Sequence, residues 1–147
     1  MKQNLMEEAL KQAKIAFEKD EVPVGAIIVE NGKIIASAFN QNLALNDPTA
    51  HAEILALRKA AEIKNSSRLD ECDIYVTLEP CTMCAAAISL ARIKRVYYAL
   101  SDEKFGAVEN GVRFFSNSNC HHKPEVYSGI NESESKKLLQ NFFKNKR

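Results

Sequence analysis

A chain of 147 residues and 16.4 kDa, 46% hydrophobic and 27% charged, has the length and composition of one globular domain. Twenty basic residues against nineteen acidic ones leave a net charge of +1, which excludes a histone-like or tail-driven electrostatic binder but not a nucleic-acid partner met by a local patch. Four cysteines are too few for a disulfide-dense secreted scaffold.

Met1 to Glu8 carries acids where an export signal has its apolar core. Lys2 to Lys19 is predicted helical, because Leu5, Ala9, Ala13, Ala16 and Phe17 recur at helical spacing opposite Lys11, Lys14, Glu18 and Lys19. The longest apolar run, Val22 to Val29, is broken by Pro23 and Gly25 and falls far short of the ~20 residues of a spanning helix. The chain is therefore expected to be cytoplasmic, with no membrane partner. Its cysteines then read as metal ligands, reactive thiols or core residues.

Val24–Val29 and Lys33–Phe39 read as two strands joined at Glu30-Asn31-Gly32, a hairpin signal because Asn and Gly both accept positive φ. Asn40 to Pro48 is a polar loop. Asp47 as cap and Pro48 in the first turn are expected to open a helix running to about Lys64. Asn65 to Asp70 connects to a strand at Ile74–Leu78, a helix at Cys81–Ala91 and a strand at Arg95–Leu100. Strand–helix–strand implies a right-handed parallel crossover. Ser101 to Lys123 is long and polar, and a loop of that length is more often functional than idle. A short strand at Glu125–Ser128 precedes a last helix, opened by Asn131 with Glu134 as a capping box. Leu138, Leu139, Phe142 and Phe143 form its apolar face.

Two motifs carry chemistry. His51-Ala52-Glu53 opens the second helix, and Pro80-Cys81-Thr82-Met83-Cys84 turns from a strand into the third. One imidazole and two thiolates are three zinc ligands, and an open fourth position distinguishes a catalytic site from a closed structural one. Helix N-termini favour the thiolate that zinc requires. Pro80 fixes the entry into the turn. Glu53 is the non-ligand carboxylate able to take a proton from a water and return it to a leaving amine. Being two residues from His51, it must reach around the helix end to do so. A lone Cys-x-x-Cys is weak evidence; the conjunction of both motifs is strong. The plain alternative makes Cys81 and Cys84 small core residues and Glu53 a solvated charge.

The H-x-E and P-C-x-x-C pair is the signature of zinc nucleobase deaminases. Glu21-Val22-Pro23-Val24-Gly25-Ala26, Asn46-Asp47-Pro48-Thr49-Ala50-His51-Ala52-Glu53 and Tyr75-Val76-Thr77-Leu78-Glu79-Pro80-Cys81-Thr82-Met83-Cys84 resemble the bacterial tRNA-specific adenosine deaminases, across essentially the whole chain. The resemblance implies a single zinc-dependent deaminase domain over residues 1–147. Its implied fold is α/β, a cytidine-deaminase-like three-layer α/β/α sandwich with a five-stranded mixed sheet. The implied activity is conversion of adenosine to inosine at the wobble position of a tRNA anticodon, by a homodimer with one zinc per subunit.

By the same likeness His51, Cys81 and Cys84 hold zinc and Glu53 shuttles the proton. Asn40 binds the flipped nucleoside, Ala52 and Glu79 orient base and amine through main-chain or side-chain contacts, and Val24 lines the pocket. Asp102 contacts the RNA backbone. Phe142 and Phe143, with Lys144, Lys146 and Arg147, lie against the anticodon loop. The plain alternatives make Asn40 a turn residue and Asp102 a solvated loop acid, while spacing alone favours Phe142 and Phe143 as core.

The family pattern Asp-x-Lys-Thr-Gly-Ala-Ala-Gly is replaced here by Asp102-Glu103-Lys104-Phe105-Gly106-Ala107-Val108-Glu109, at a loop that borders the family's substrate mouth. Two other readings therefore stand beside the first: a deaminase of free bases or nucleosides, of guanine or cytosine type, and a non-catalytic zinc module closed by a fourth side chain. Cys120-His121-His122 is not expected to be a second metal site, and Cys72 and Cys120 have no assigned role.

Overall fold

In the computed structural model, which describes residues 4–146, the chain runs α1 (Leu5–Glu18), β1 (Gly25–Glu30), β2 (Lys33–Phe39), α2 (Ala52–Lys64), β3 (Cys72–Leu78), α3 (Thr82–Leu90), β4 (Arg95–Leu100), a 3-10 turn (Phe114–Ser116), β5 (Glu125–Ser128) and α4 (Glu132–Lys144). The sheet order is β2-β1-β3-β4-β5. β1 pairs antiparallel with β2 and β3, while β3, β4 and β5 are parallel, so the sheet is mixed as expected. The hairpin turn uses Asn31 at φ 51° and Gly32 at φ 77°, the conformations that Asn-Gly tolerates best.

Alternation along the strands builds three layers. Ile74, Val76, Val96 and Tyr98 face Ala52, Ala56 and Ala60 of α2 and Ala85 and Ile88 of α3. Ile27, Val29 and Ala99 face the other way, against Met6 and Ala9 of α1. On that second face α4 is tied down by the Ser135 hydroxyl, which donates to the Thr77 carbonyl at 2.6 Å. Small residues let the helices sit close. An added Cβ at Gly25 would stand 2.1 Å from the Ala9 carbonyl oxygen and 2.5 Å from the Ala13 nitrogen, so only glycine lets β1 meet the α1 backbone.

Several boundaries differ from the expectations. α2 begins at Ala52, because Asp47 caps a turn instead of a helix: its Oδ1 accepts the Thr49 N–H at 2.8 Å and the Thr49 hydroxyl at 2.7 Å. Pro48 lies inside that turn. The capping box at α4 is incomplete. Asn131 takes φ 60° and donates from Nδ2 to Glu134 Oε1 at 2.7 Å, leaving no side-chain cap on the backbone. β3 starts at Cys72, two residues ahead of the expected Ile74, since Glu30 pairs with Cys72 across the sheet. The proposed first residues of α1, Lys2 and Gln3, lie outside the described residues.

Candidate active site

His51 and Cys81 occupy equivalent places, each the residue just before a helix. Both have extended backbones, with ψ 152° and 177°, and neither side chain caps its own helix. Their ring and thiol are therefore free to face each other. Cys84 sits in the first turn of α3 and is fully buried. His51 Nδ1 lies 3.6 Å from Cys81 Sγ and 3.4 Å from Cys84 Sγ, and all three donor atoms fall within 4.8 Å of one another.

This spacing fits a tetrahedral ion. Zn–N of ~2.0–2.1 Å and Zn–S of ~2.3 Å at a tetrahedral angle place N and S about 3.6 Å apart. Among the described residues, these three are the one group of His, Cys, Asp or Glu donors with metal-binding spacing. Cys120-His121-His122 forms no such group. The His122 ring nitrogen lies 2.6 Å from the Ile93 carbonyl, and Cys120 is buried against the Ser89 hydroxyl.

The protons in the cluster are unevenly held. Hydrogen bonds from Cys84 and then His51 outweigh burial and bring the Cys81 thiol down to about 4. Cys84 is pushed up, by its bond to Cys81, by burial and by nearby Glu53. The bond to Cys81 raises His51. A donor set already sharing charge and protons in this way is ready to exchange the protons for a cation.

Glu53 lies in the first turn of α2 and is only 4% exposed, and burial lifts its carboxyl to about 7. Because His51 precedes the helix and Glu53 is within it, both reach the same space, which resolves the question their spacing raised. That space is a cavity of about 1210 Å³ walled by His51, Glu53 and Cys81 together with Val24, Asn40, Glu79, Asp102, Phe142 and Phe143. Nearly every residue singled out in the sequence therefore meets in one place. Ala52 is fully buried behind the wall, where its N–H donates to Asn40 Oδ1 at 2.8 Å.

Two buried carboxylates shape the rim. Glu79 accepts from the backbone N–H groups of Asp102, Val108, Glu109 and Asn110 at 2.9 to 3.1 Å and from Asn110 Nδ2 at 2.7 Å. Burial alone would raise its pKa, but these donors outweigh it and hold the carboxyl below its ordinary value. Glu21 organises the opposite rim, accepting from the Leu43 and Ala44 amides at 3.0 and 2.8 Å. Sequence reading missed Glu21 as a rim residue, because its partners lie 22 and 23 residues along the chain.

The C-terminal aromatics divide. Phe142 is 7% exposed and packs edge-on against Phe17 at 6.0 Å, while Phe143 is 54% exposed. Lys146 pairs with Asp20 and stands 5.2 Å from the Phe142 ring centroid. Arg147 lies outside the described residues.

Residues 1–147 match the MafB19-like deaminase family. A tRNA-specific adenosine deaminase of Agrobacterium fabrum is 58% identical over 98% of this chain and 95% of its own length. One from Rickettsia bellii is 54% identical over 95% of this chain and 97% of its own. A solved structure from work on A-to-I editing by tRNA:A34 deaminases at the wobble position of transfer RNA is 59% identical. It superposes with a TM-score of 0.90, covering 91% of this chain and 97% of that one.

Proposed function

The chain belongs to the MafB19-like deaminase family, among the bacterial tRNA-specific adenosine deaminases, and from that premise we propose how it acts. It hydrolyses adenosine to inosine at the wobble position of a tRNA anticodon. The observation that carries the chemistry is the convergence of the His51, Cys81 and Cys84 donor atoms within 4.8 Å of one another, with His51, Cys81 and buried Glu53 on one cavity wall. No fourth His, Cys, Asp or Glu donor joins that group among the described residues, which favours an open catalytic site over a closed structural one.

His51 Nδ1, Cys81 Sγ and Cys84 Sγ hold the metal, which we assign as zinc, one per subunit. When bound, it supplies a Lewis acid that brings the pKa of a water close to neutrality. Glu53 receives the proton which the attacking water gives up. It passes that proton to ring N1, then takes the remaining proton from the new C6 hydroxyl and delivers it to the amine, so that the C6–N bond breaks as the C6–O bond becomes a carbonyl and ammonia leaves.

Asn40 spends its oxygen on the Ala52 N–H, so its Nδ2 is the group that faces the nucleoside. Glu79 meets the amine through its main chain, because its carboxylate is engaged by the rim loop, whereas Ala52, expected to hold the base edge itself, acts from behind the wall by orienting Asn40. Val24 flanks the base. Asp102 meets the RNA backbone, and Phe143 with Phe142 behind it and Lys144 lies along the anticodon loop. An anticodon loop presents unpaired bases, so bringing one into a cavity costs little unstacking.

The chain acts as one domain, as a homodimer, in the cytoplasm. Its likeness to the bacterial enzymes supports these assignments. No helix among the described residues is long and apolar enough to cross a membrane. The test is to incubate the zinc-loaded protein with an anticodon stem-loop bearing a wobble adenosine, and separately with free adenosine, cytosine and guanine. Inosine in the stem-loop alone is the expected result. Ammonia from a free base with none from the stem-loop would overturn the RNA assignment.

A further inference from the structure

Phe105 is 65% exposed, yet it lines the same cavity as His51 and Glu53. A large apolar ring left in water on a loop has burial free energy still to recover. The loop beneath it is not loose. The Phe105 N–H donates to Asp102 Oδ1 at 3.1 Å, as does the Lys104 N–H. The next residue, Gly106, forms a β-bridge with Cys81, and the Ala107 N–H donates to the Pro80 carbonyl at 2.9 Å. Glu79 gathers the four amides already described. The backbone that carries the ring is thus fixed next to Gly106, the residue that bridges to Cys81.

Its surroundings suit a nucleotide. Lys104 Nζ lies 5.2 Å from the Phe105 ring centroid, placing a positive charge beside the aromatic ring. At about 1210 Å³ the cavity exceeds the ~300–1,000 Å³ typical of a pocket for one drug-sized ligand. It has room for more than the reacting nucleoside. A base on an aromatic face with its phosphate near a lysine is the usual way in which single-stranded nucleic acid is held.

Given the proposed action on an anticodon loop, on which this step rests, we infer that Phe105 is the stacking platform for the nucleotide adjacent to the target adenosine. Lys104 neutralises that nucleotide's phosphate. Phe105 therefore sets how the RNA, as opposed to a free nucleoside, is positioned.

The test uses zinc-loaded protein and anticodon stem-loops carrying 2-aminopurine at either neighbour of the wobble adenosine. Wild type is expected to quench the fluorescence at one of the two positions. Phe105→Ala should lose that quenching and raise KM for the unlabelled stem-loop about 5- to 150-fold, the range of one base–aromatic stack. Phe105→Tyr should restore both, and Phe105→Leu, equally apolar but without a π face, should not. The ring is exposed, so melting temperatures should agree within about 2 °C across the set. If wild type edits the stem-loop and Phe105→Ala matches it in KM and quenching, the platform is wrong and the function stands. Leu performing as well as Tyr would also overturn stacking. A wild type that edits no stem-loop overturns the proposed function and this inference with it.

Discussion

In the proposed site, the neighbours of Asn40 and Glu53 dictate the part each would take. The Asn40 oxygen accepts the buried Ala52 N–H, which assigns the orientation of its amide and leaves Nδ2 as a donor toward the cavity. Asn40→Asp keeps the acceptor and removes the donor, so the fold should hold while KM for the stem-loop rises. Asn40→Ala removes both and strands a buried N–H, costing about 1–3 kcal/mol of stability in addition. A melting curve beside steady-state kinetics separates the two variants; equal melting losses would show that the oxygen does not hold Ala52. Glu53 lies beside Cys84 but outside the donor group, so Glu53→Gln should retain stoichiometric zinc while kcat falls about 10²- to 10⁴-fold, the usual worth of a positioned general acid–base. Loss of zinc together with activity would make Glu53 a ligand instead.

At the scale of elements, the 101–110 loop is an organised rim because one carboxylate collects its amides. Those bonds favour the charged form of Glu79, so it binds a proton less readily folded than unfolded. Its contribution is fully present above the unfolded carboxylate value of about 4.3 and is lost as pH falls through the lower folded one. Glu79→Gln should therefore melt lower than wild type by about 1–3 kcal/mol at neutral pH, a constant deficit down to about pH 5 that closes below pH 4. A pH-independent deficit would mean that packing, not charge, holds the loop. Gly106 is the second constraint: an added Cβ would lie 2.4 Å from both the Asp102 carbonyl oxygen and Glu79 Cδ. Gly106→Ala should accordingly displace the rim and raise KM for the stem-loop in steady-state kinetics, with zinc content unchanged.

For the molecule as a whole, patterning that depends on nearest neighbours was legible and patterning that depends on distant partners was not. Asn31-Gly32, the alternating β3 and β4, and the small-residue α3 announce themselves because local geometry and burial agree there. The two metal motifs were legible for the same reason, each being a short run at a helix start. Asp47-Pro48 misled, since a carboxylate that can cap a helix can equally close a turn on Thr49. Glu21, and the role of the Glu79 carboxylate in gathering the rim loop, were opaque because their partners are amides 22 to 31 residues away, which no local spacing reveals. The metal donors combine both kinds of information: local at each helix start, distant in their meeting. His51 stands at the entry to α2 and Cys81 and Cys84 at the start of α3, so an ion between them would join two helices that otherwise meet through small apolar side chains. Binding only to the folded state, it stabilises by about 4 kcal/mol at a thousandfold excess over Kd. Chelation should then lower the melting temperature by about 10 °C, and added zinc should restore it. Cys81→Ser and His51→Ala should start from the lower temperature and respond weakly to zinc. Zinc far below one ion per chain in freshly purified protein, with a melting temperature indifferent to chelator, would remove the metal from the site and the open-site chemistry with it.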